Sequence, residues 1–260
     1  MSDKISPVLA GFSRSYLSTA TFVARARRAL QALTPEQWRM RHSPGAQELI
    51  DEVAPLASFL RHFEWPGRTV RCRYVGPNKP FDARVRVAGP EVEKGFLSRQ
   101  YHIEITSAVS GSEYLEREAL QRNGRVFLGG SIARIGSAHR GDDVIVDHPV
   151  VKDGDSAWRD VSERVRDSVA RKASKGYPEP CILLVRVQLD LPMSIVEWGK
   201  LGESLENEVN GTGFAAVYVV DPWTNTVFYL GAPQPGRLIA HATEAEPHPD
   251  VGVVLVPHPG

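Results

Sequence analysis

Apolar positions from Val8 to Leu33 recur at the three-and-four spacing of a helix, so the chain opens on helical structure. Thr34-Pro35-Glu36-Gln37 reads as an N-cap, a proline at the first helical position and a glutamine able to close a capping box, which predicts a new helix start. Ser43-Pro44 repeats that signal before Ala46 to Phe63, where Leu49, Val53, Leu56, Phe59 and Leu60 form one apolar stripe. From Arg68 the period falls to two. Strands are predicted over Arg68 to Val75, Phe81 to Ala88 and Gln100 to Thr106, with glycine and proline between them. Glu113 to Asn123 reads as a short helix ended by Gly124, and Arg125 to Ile135 as a strand loosened by Gly129-Gly130. Asp155-Ser156 caps a helix to about Lys175, striped by Val161, Val165, Val169 and Ala173. Cys181 to Leu191 and Phe214 to Val220 are too continuously apolar to be half-exposed and read as buried strands, with a helix over Ile195 to Asn210 between them. Thr226 to Leu230 is a short partner strand across the turn at Asp221 to Asn225. From Pro233 onward proline, glycine and histidine dominate, which suits a loosely held tail with room for an edge strand at Val251 to Val256.

This order of elements predicts an α/β sandwich with a mixed central sheet, antiparallel near the first hairpin and parallel later. The expected division is an N-terminal helical segment over 1–42, an α/β domain over 43–232 and a Pro/His-rich tail over 233–260. Hydrophobic residues make up 42% of the chain, enough for a real core. The net charge is zero, so any nucleic-acid surface must come from local segregation of charge. Only 7 of the 31 basic residues are lysines, so each lysine in a plausible site matters more than each arginine. Cys72 and Cys181 both sit in apolar strand-like runs and read as buried thiols, giving neither a zinc framework nor a disulfide scaffold. No apolar stretch approaches the roughly 20 residues of a membrane span, and the N-terminus lacks a signal-peptide pattern, so a soluble cytoplasmic protein is expected.

Candidate chemistry concentrates on two strands. Phe81, Ala83, Val85 and Val87 alternate with Asp82, Arg84 and Arg86, while Tyr101, Ile103 and Ile105 alternate with His102, Glu104 and Thr106. With Gly89-Pro90 and Gly95 between them, antiparallel pairing brings Asp82 within reach of Glu104, and two such carboxylates suit a hard divalent cation. A solvated sheet face is the plain alternative. His139 to Asp143 with Asp147-His148 fits no ligand spacing and reads as a surface turn. Arg117, between Glu116 and Glu118, could turn toward a phosphate but reads first as a helix-surface ion pair. Arg25, Arg27, Arg28, Arg39 and Arg41 could meet phosphates or an acidic partner. No GxxxxGK loop, no GxGxxG between strand and helix and no GxSxG elbow occurs, which disfavours nucleotide-triphosphate and serine-hydrolase chemistry.

A helix carrying Glu48 and Glu52, a hairpin with Asp82 and then Glu104-x-Thr106, followed by helix, strand, helix and strand, resembles the PD-(D/E)XK nuclease superfamily over about Ala46 to Leu230. Lys172 to Pro178 ahead of Cys181 to Val185 is similar to a passage in several members. The resemblance implies a restriction-endonuclease-like fold and a Mg2+- or Mn2+-dependent nuclease. Asp82, Glu104 and the Ile105 carbonyl would hold the metal, and Glu48 or Glu52 would assist. One departure stands out: Thr106 occupies the usual lysine position. Lys172 could reach the same point from the long helix, a second metal held by Glu48 or Glu52 could do the work, or the site is inactive. The implied partner is DNA ahead of RNA, with a protein partner through the N-terminal helices, no membrane, and homodimer formation compatible with the reading. The resemblance admits a role in a defence or mobile-element system. The alternative function is a catalytically inactive nuclease-like fold that binds nucleic acid or protein, and a weaker one is an α/β enzyme of unrelated chemistry.

Overall fold

The computed structural model describes residues 6–41, 44–76, 79–108, 115, 119, 131–135, 144–148, 154–188 and 195–231, and in it seven strands form one mixed sheet with helices on both faces. The chain enters through helix α1 (Ser6–Ser13), the two-residue strand β1 (Leu17–Ser18) and helix α2 (Thr19–Gln31). The continuous helical spacing expected over Val8 to Leu33 is thus interrupted. Ser18 is the reason: its hydroxyl accepts the Thr21 N–H and caps α2, while Leu17 pairs with Cys72 at the sheet edge. Helix α3 (Pro35–Met40) carries both halves of the Thr34–Gln37 capping box. Helix α4 (Pro44–Glu48) runs through a π-helical turn (Leu49–Val53) into α5 (Ala54–Phe63). The wide turn has a local cause in Pro55, whose ring would press on the carbonyl of Asp51 in a regular helix.

Strands β2 (Thr69–Tyr74) and β3 (Ala83–Ala88) are joined to β4 (Gln100–Ser107) by antiparallel pairing. The β3–β4 connection holds a short helix α6 (Pro90–Glu93) that the sequence pattern did not predict. Its entry needs glycine, since a Cβ on Gly89 would lie 2.1 Å from the Gly67 carbonyl oxygen. Strands β5 (Ser131–Ile135) and β6 (Val144–His148) form a separate antiparallel pair, so Asp147 and His148 lie on a strand rather than in the expected surface turn. Helix α7 (Gly154–Ala173), strand β7 (Cys181–Arg186), helix α8 (Ile195–Asn210) and strands β8 (Ala216–Asp221) and β9 (Thr226–Gly231) complete the chain. The sheet order is β1-β2-β3-β4-β7-β8-β9, parallel only at β4–β7 and β7–β8. Of the helix expected over Glu113 to Asn123, only Leu115 and Ala119 are described, both helical. Arg117, His139 to Asp143 and the tail from 233 lie outside the described residues.

Each face of the sheet has its own core. On the first, Phe12, Phe22, Ile50, Leu56 and Leu60 pack on Val70, Val85, Ile103 and Leu184. The N-terminal helices therefore share a core with the sheet. On the second, Val165, Val169, Trp198, Leu201 and Leu205 pack on Leu183, Val185, Val217 and Val219. Cys72 and Cys181 are buried free thiols, as their apolar surroundings imply, and burial pushes both thiols up. No described helix is long and apolar enough to cross a membrane.

Candidate active site

Strand β4 changes character along its length. Gln100 and His102 are half-buried on the second face, but Glu104 and Thr106, next on that face, are only 7% and 6% exposed. Helix α7 causes the difference by crossing above them. Its Lys172 donates from Nζ to Glu104 Oε1, Arg171 Nη2 donates to Thr106 Oγ1 at 3.1 Å, and the Ser168 hydroxyl donates to the Ser107 carbonyl at 3.4 Å. Beyond the helix, the Tyr177 hydroxyl donates to the same Glu104 oxygen at 3.2 Å while its ring packs on Phe214.

Asp82 approaches Glu104 from the start of β3. The pairs Ala83↔Ile103 and Arg84↔His102, continued by one residue, set Asp82 opposite Glu104. Its N–H donates to the Ile103 carbonyl at 2.8 Å, and its carboxylate accepts the Ile105 N–H at 2.7 Å. The side chain thus extends the ladder just ahead of the first residue of β3. The Ile105 carbonyl points to the same side of β4 as that N–H.

A second pair of acids comes from the first face. The Tyr74 hydroxyl meets Glu48 at 3.1 Å and also Glu52. One turn of helix therefore hangs from one phenol. The neighbouring Asp51 accepts from Arg41 at 2.6 Å and forms an ion pair with the fully buried Arg186 at 3.2 Å, and Arg186 donates to the Ser107 hydroxyl at 3.4 Å. These contacts pin the π-helical turn to the ends of β4 and β7.

The carboxylates sense one another. Burial pushes Asp82 up to about 8, with the charges of Glu52 and Glu104 adding to the rise and the Ile105 N–H and Lys172 opposing it. Burial likewise raises Glu52 to about 7, opposed by the Tyr74 hydrogen bond and reinforced by Glu48, Asp51 and Glu104. The Tyr177 phenol is raised by burial and by the adjacent Glu104. Ionising these buried carboxyls together is costly, and a cation between them would lower that cost. Among the described residues no three His, Cys, Asp or Glu side chains converge at metal-ligand distance. The available set is thus two facing carboxylates plus backbone oxygen, which fits Mg2+, an ion that keeps several waters and takes one or two carboxylates. It does not fit a closed all-protein cage.

The structure brings together Asp82, Glu104, Ile105 and Lys172, sets Thr106 beside Arg171, and holds Glu48 and Glu52 through Tyr74. Sequence reasoning places Tyr177 within the Lys172 to Pro178 passage; the ring packs on Phe214 and the hydroxyl hydrogen-bonds Glu104. It missed Tyr74, Asp51 and Arg186. Tyr74 lies on the apolar phase of its strand, and its polar tip leaves no trace in an alternation pattern. No protein-family model, curated protein or solved structure matches this chain.

Proposed function

We propose that the chain is a metal-dependent nuclease, hydrolysing phosphodiester bonds most readily in DNA, on a restriction-endonuclease-like α/β sandwich. The observation that carries this reading is Lys172 of α7 against Glu104, opposite Asp82. It supplies a cation beside the acidic pair where Thr106 offers only a hydroxyl. Asp82 and Glu104, with the Ile105 carbonyl, would hold Mg2+ or Mn2+, which supplies Lewis-acid activation of water and neutralises phosphate charge. Lys172 stabilises the negative charge that builds on the phosphoryl oxygens, and Tyr177 helps fix the Glu104 carboxylate through the same oxygen that Lys172 meets. Glu52, held with Glu48 by Tyr74, adds negative potential behind Asp82 when it ionises.

Purified chain with Mn2+ should nick supercoiled plasmid. Asp82→Ala and Glu104→Ala should each abolish nicking with circular dichroism unchanged, and Lys172→Ala should slow it about 100-fold or more while metal affinity stays nearly intact. Nicking that persists in both alanine variants would sink the assignment. The observation favouring a catalytically inactive binding module is Thr106 itself, buried and engaged by Arg171. That second reading is selected if calorimetry at millimolar Mn2+ detects no metal binding to the wild-type chain.

A further inference from the structure

The second face of β2 and β3 carries arginines that the fold does not use. Arg71 and Arg73 alternate with buried Val70, Cys72 and Tyr74, and Arg84 and Arg86 with buried Ala83, Val85 and Val87. The register sets Arg71 opposite Arg86 and Arg73 opposite Arg84. Like charges directly across an antiparallel pair are destabilising, so two such pairs in succession work against the strand pairing. No described carboxylate relieves them: none of the four side chains is hydrogen-bonded or ion-paired to another described residue. Aromatic rings hold three of them instead. The Tyr16 ring lies 4.0 Å from the Arg86 guanidinium carbon and 5.3 Å from that of Arg73, and Phe81 lies 5.0 Å from that of Arg84. A guanidinium resting on a ring is oriented: the Nε atoms of Arg73 and Arg84 are buried and unpartnered, while Arg71 and Arg86 are exposed and offer N–H groups to an oxyanion.

Among the described residues no helix covers this face at Arg71 and Arg86, although Phe81 is buried beside Arg84. The core beneath α7 and α8 takes residues from β7, β8 and β9 and none from β2 or β3, and Arg71 and Arg86 are exposed. Asp82, Arg84 and Arg86 share one side of β3 in steps of about 7 Å, the order of the spacing between phosphates on one strand. The ladder therefore begins at the carboxylate pair and leads away from it. In a chain of zero net charge, it is the local segregation of charge that a polyanion surface requires.

We propose that Arg84, Arg86, Arg71 and Arg73 form a track for the phosphodiester backbone of a nucleic acid, leading into the Asp82–Glu104 pair. The choice of nucleic acid over other polyanions rests on the nuclease reading of that pair. The test is fluorescence anisotropy of a labelled random-sequence DNA duplex with full-length chain in EDTA, across a salt series. Arg71→Gln combined with Arg86→Gln should weaken binding about tenfold or more at low salt and reduce the slope of log Kobs against log salt by about 2, one for each phosphate contact removed. Both substitutions lie on an exposed face, and an unchanged melting temperature verifies the fold. Arg61→Gln on α5 with Lys200→Gln on α8, exposed and equal in charge, should leave affinity and slope unchanged. An equal loss from that pair overturns the track, because charge removed anywhere would then suffice. Arginine-dependent binding to phosphatidylserine vesicles or polyglutamate without duplex binding overturns it as well. Absence of nicking with Mn2+ beside arginine-dependent duplex binding retains the track and removes the nuclease reading. Nicking with affinity indifferent to Arg71 and Arg86 does the reverse.

Discussion

The two halves of the sheet solve different problems. In the parallel half, β7 and β8 are buried at every position, and their side chains divide between two cores, Ile182 and Leu184 on the first face and Leu183 and Val185 on the second. In the antiparallel half, β2 and β3 alternate, with aliphatic residues inward and arginines outward. Strand β4 is the seam between them, half-covered at Gln100 and sandwiched by Glu104. A polar phase that is harmless on the open half is carried under a helix on the closed half, and the carboxylate there must find partners. Lys172 and Tyr177 are those partners. The chemistry thus sits where coverage changes.

The comparison breaks most visibly if the parallel half is hollowed. Leu184, fully buried between neighbours on β4 and β8, has little room to relax, so Leu184→Ala should cost about 2–5 kcal/mol, read as a lower denaturation midpoint at unchanged slope. Arg71→Ala on the open half, exposed and on no ring, should stay within about 0.5 kcal/mol. Similar losses at the two sites would refute the division.

At the seam, Lys172→Met removes a cation from a Glu104 side chain that is 9% exposed. Breaking a buried pair costs about 3–5 kcal/mol, and the 16% exposure of Lys172 brings the expectation to about 2 kcal/mol. Lys172→Met with Glu104→Leu should recover most of it, because no charge is then stranded. Losses that merely add in the double variant would mean the two side chains are not coupled.

The pH response sharpens the same contrast. Asp82 is raised from an ordinary 3.8 to about 8 and Glu52 from 4.5 to about 7, so between pH 4 and 8 the folded chain binds more protons than the unfolded one. Stability then falls as pH rises through that window, the reverse of the usual salt-bridged carboxylate. Asp82→Asn should flatten the fall in urea midpoints measured from pH 5 to 9. Mg2+ should raise the melting temperature of the wild type above pH 8 and leave Asp82→Asn unmoved.

How much of this was legible depended on whether a residue's role lay in its own strand. Asp82 and Glu104 stand out because alternation and a glycine-containing connection suffice to pair them. The helix over Ile195 to Asn210 and the Thr34 capping box were read correctly because both are local patterns. Strand β1 was not, since two residues carry no period, nor was β6, whose pairing with β5 is tertiary. Arg186 sits in an apolar strand with its partner Asp51 far away in sequence, and nothing local links them. Thr106 has a different lesson. Replacing it with lysine would set a cation beside Arg171 and Lys172 in a buried place, so Thr106→Lys should destabilise the fold, whatever it does to catalysis.

The smallest effect belongs to the open half and has the opposite sign. Arg71 faces Arg86 across the strand pair, both exposed, so their repulsion is screened but not absent. Arg71→Thr removes one charge and supplies a residue suited to strands, and should raise stability by a few tenths of a kcal/mol at low ionic strength. Part of this gain is electrostatic. It should shrink when melting curves are repeated in 1 M salt, where the screening length is about 3 Å, leaving only the intrinsic preference for threonine. Arg73→Thr has a further cost, since Arg73 is half-buried against Tyr16 and its removal exposes the ring. The exposed position should therefore gain and the stacked one should not. If Arg71→Thr instead destabilises the chain independently of salt, Arg71 is packed rather than presented, and the open half is less open than its alternation implies.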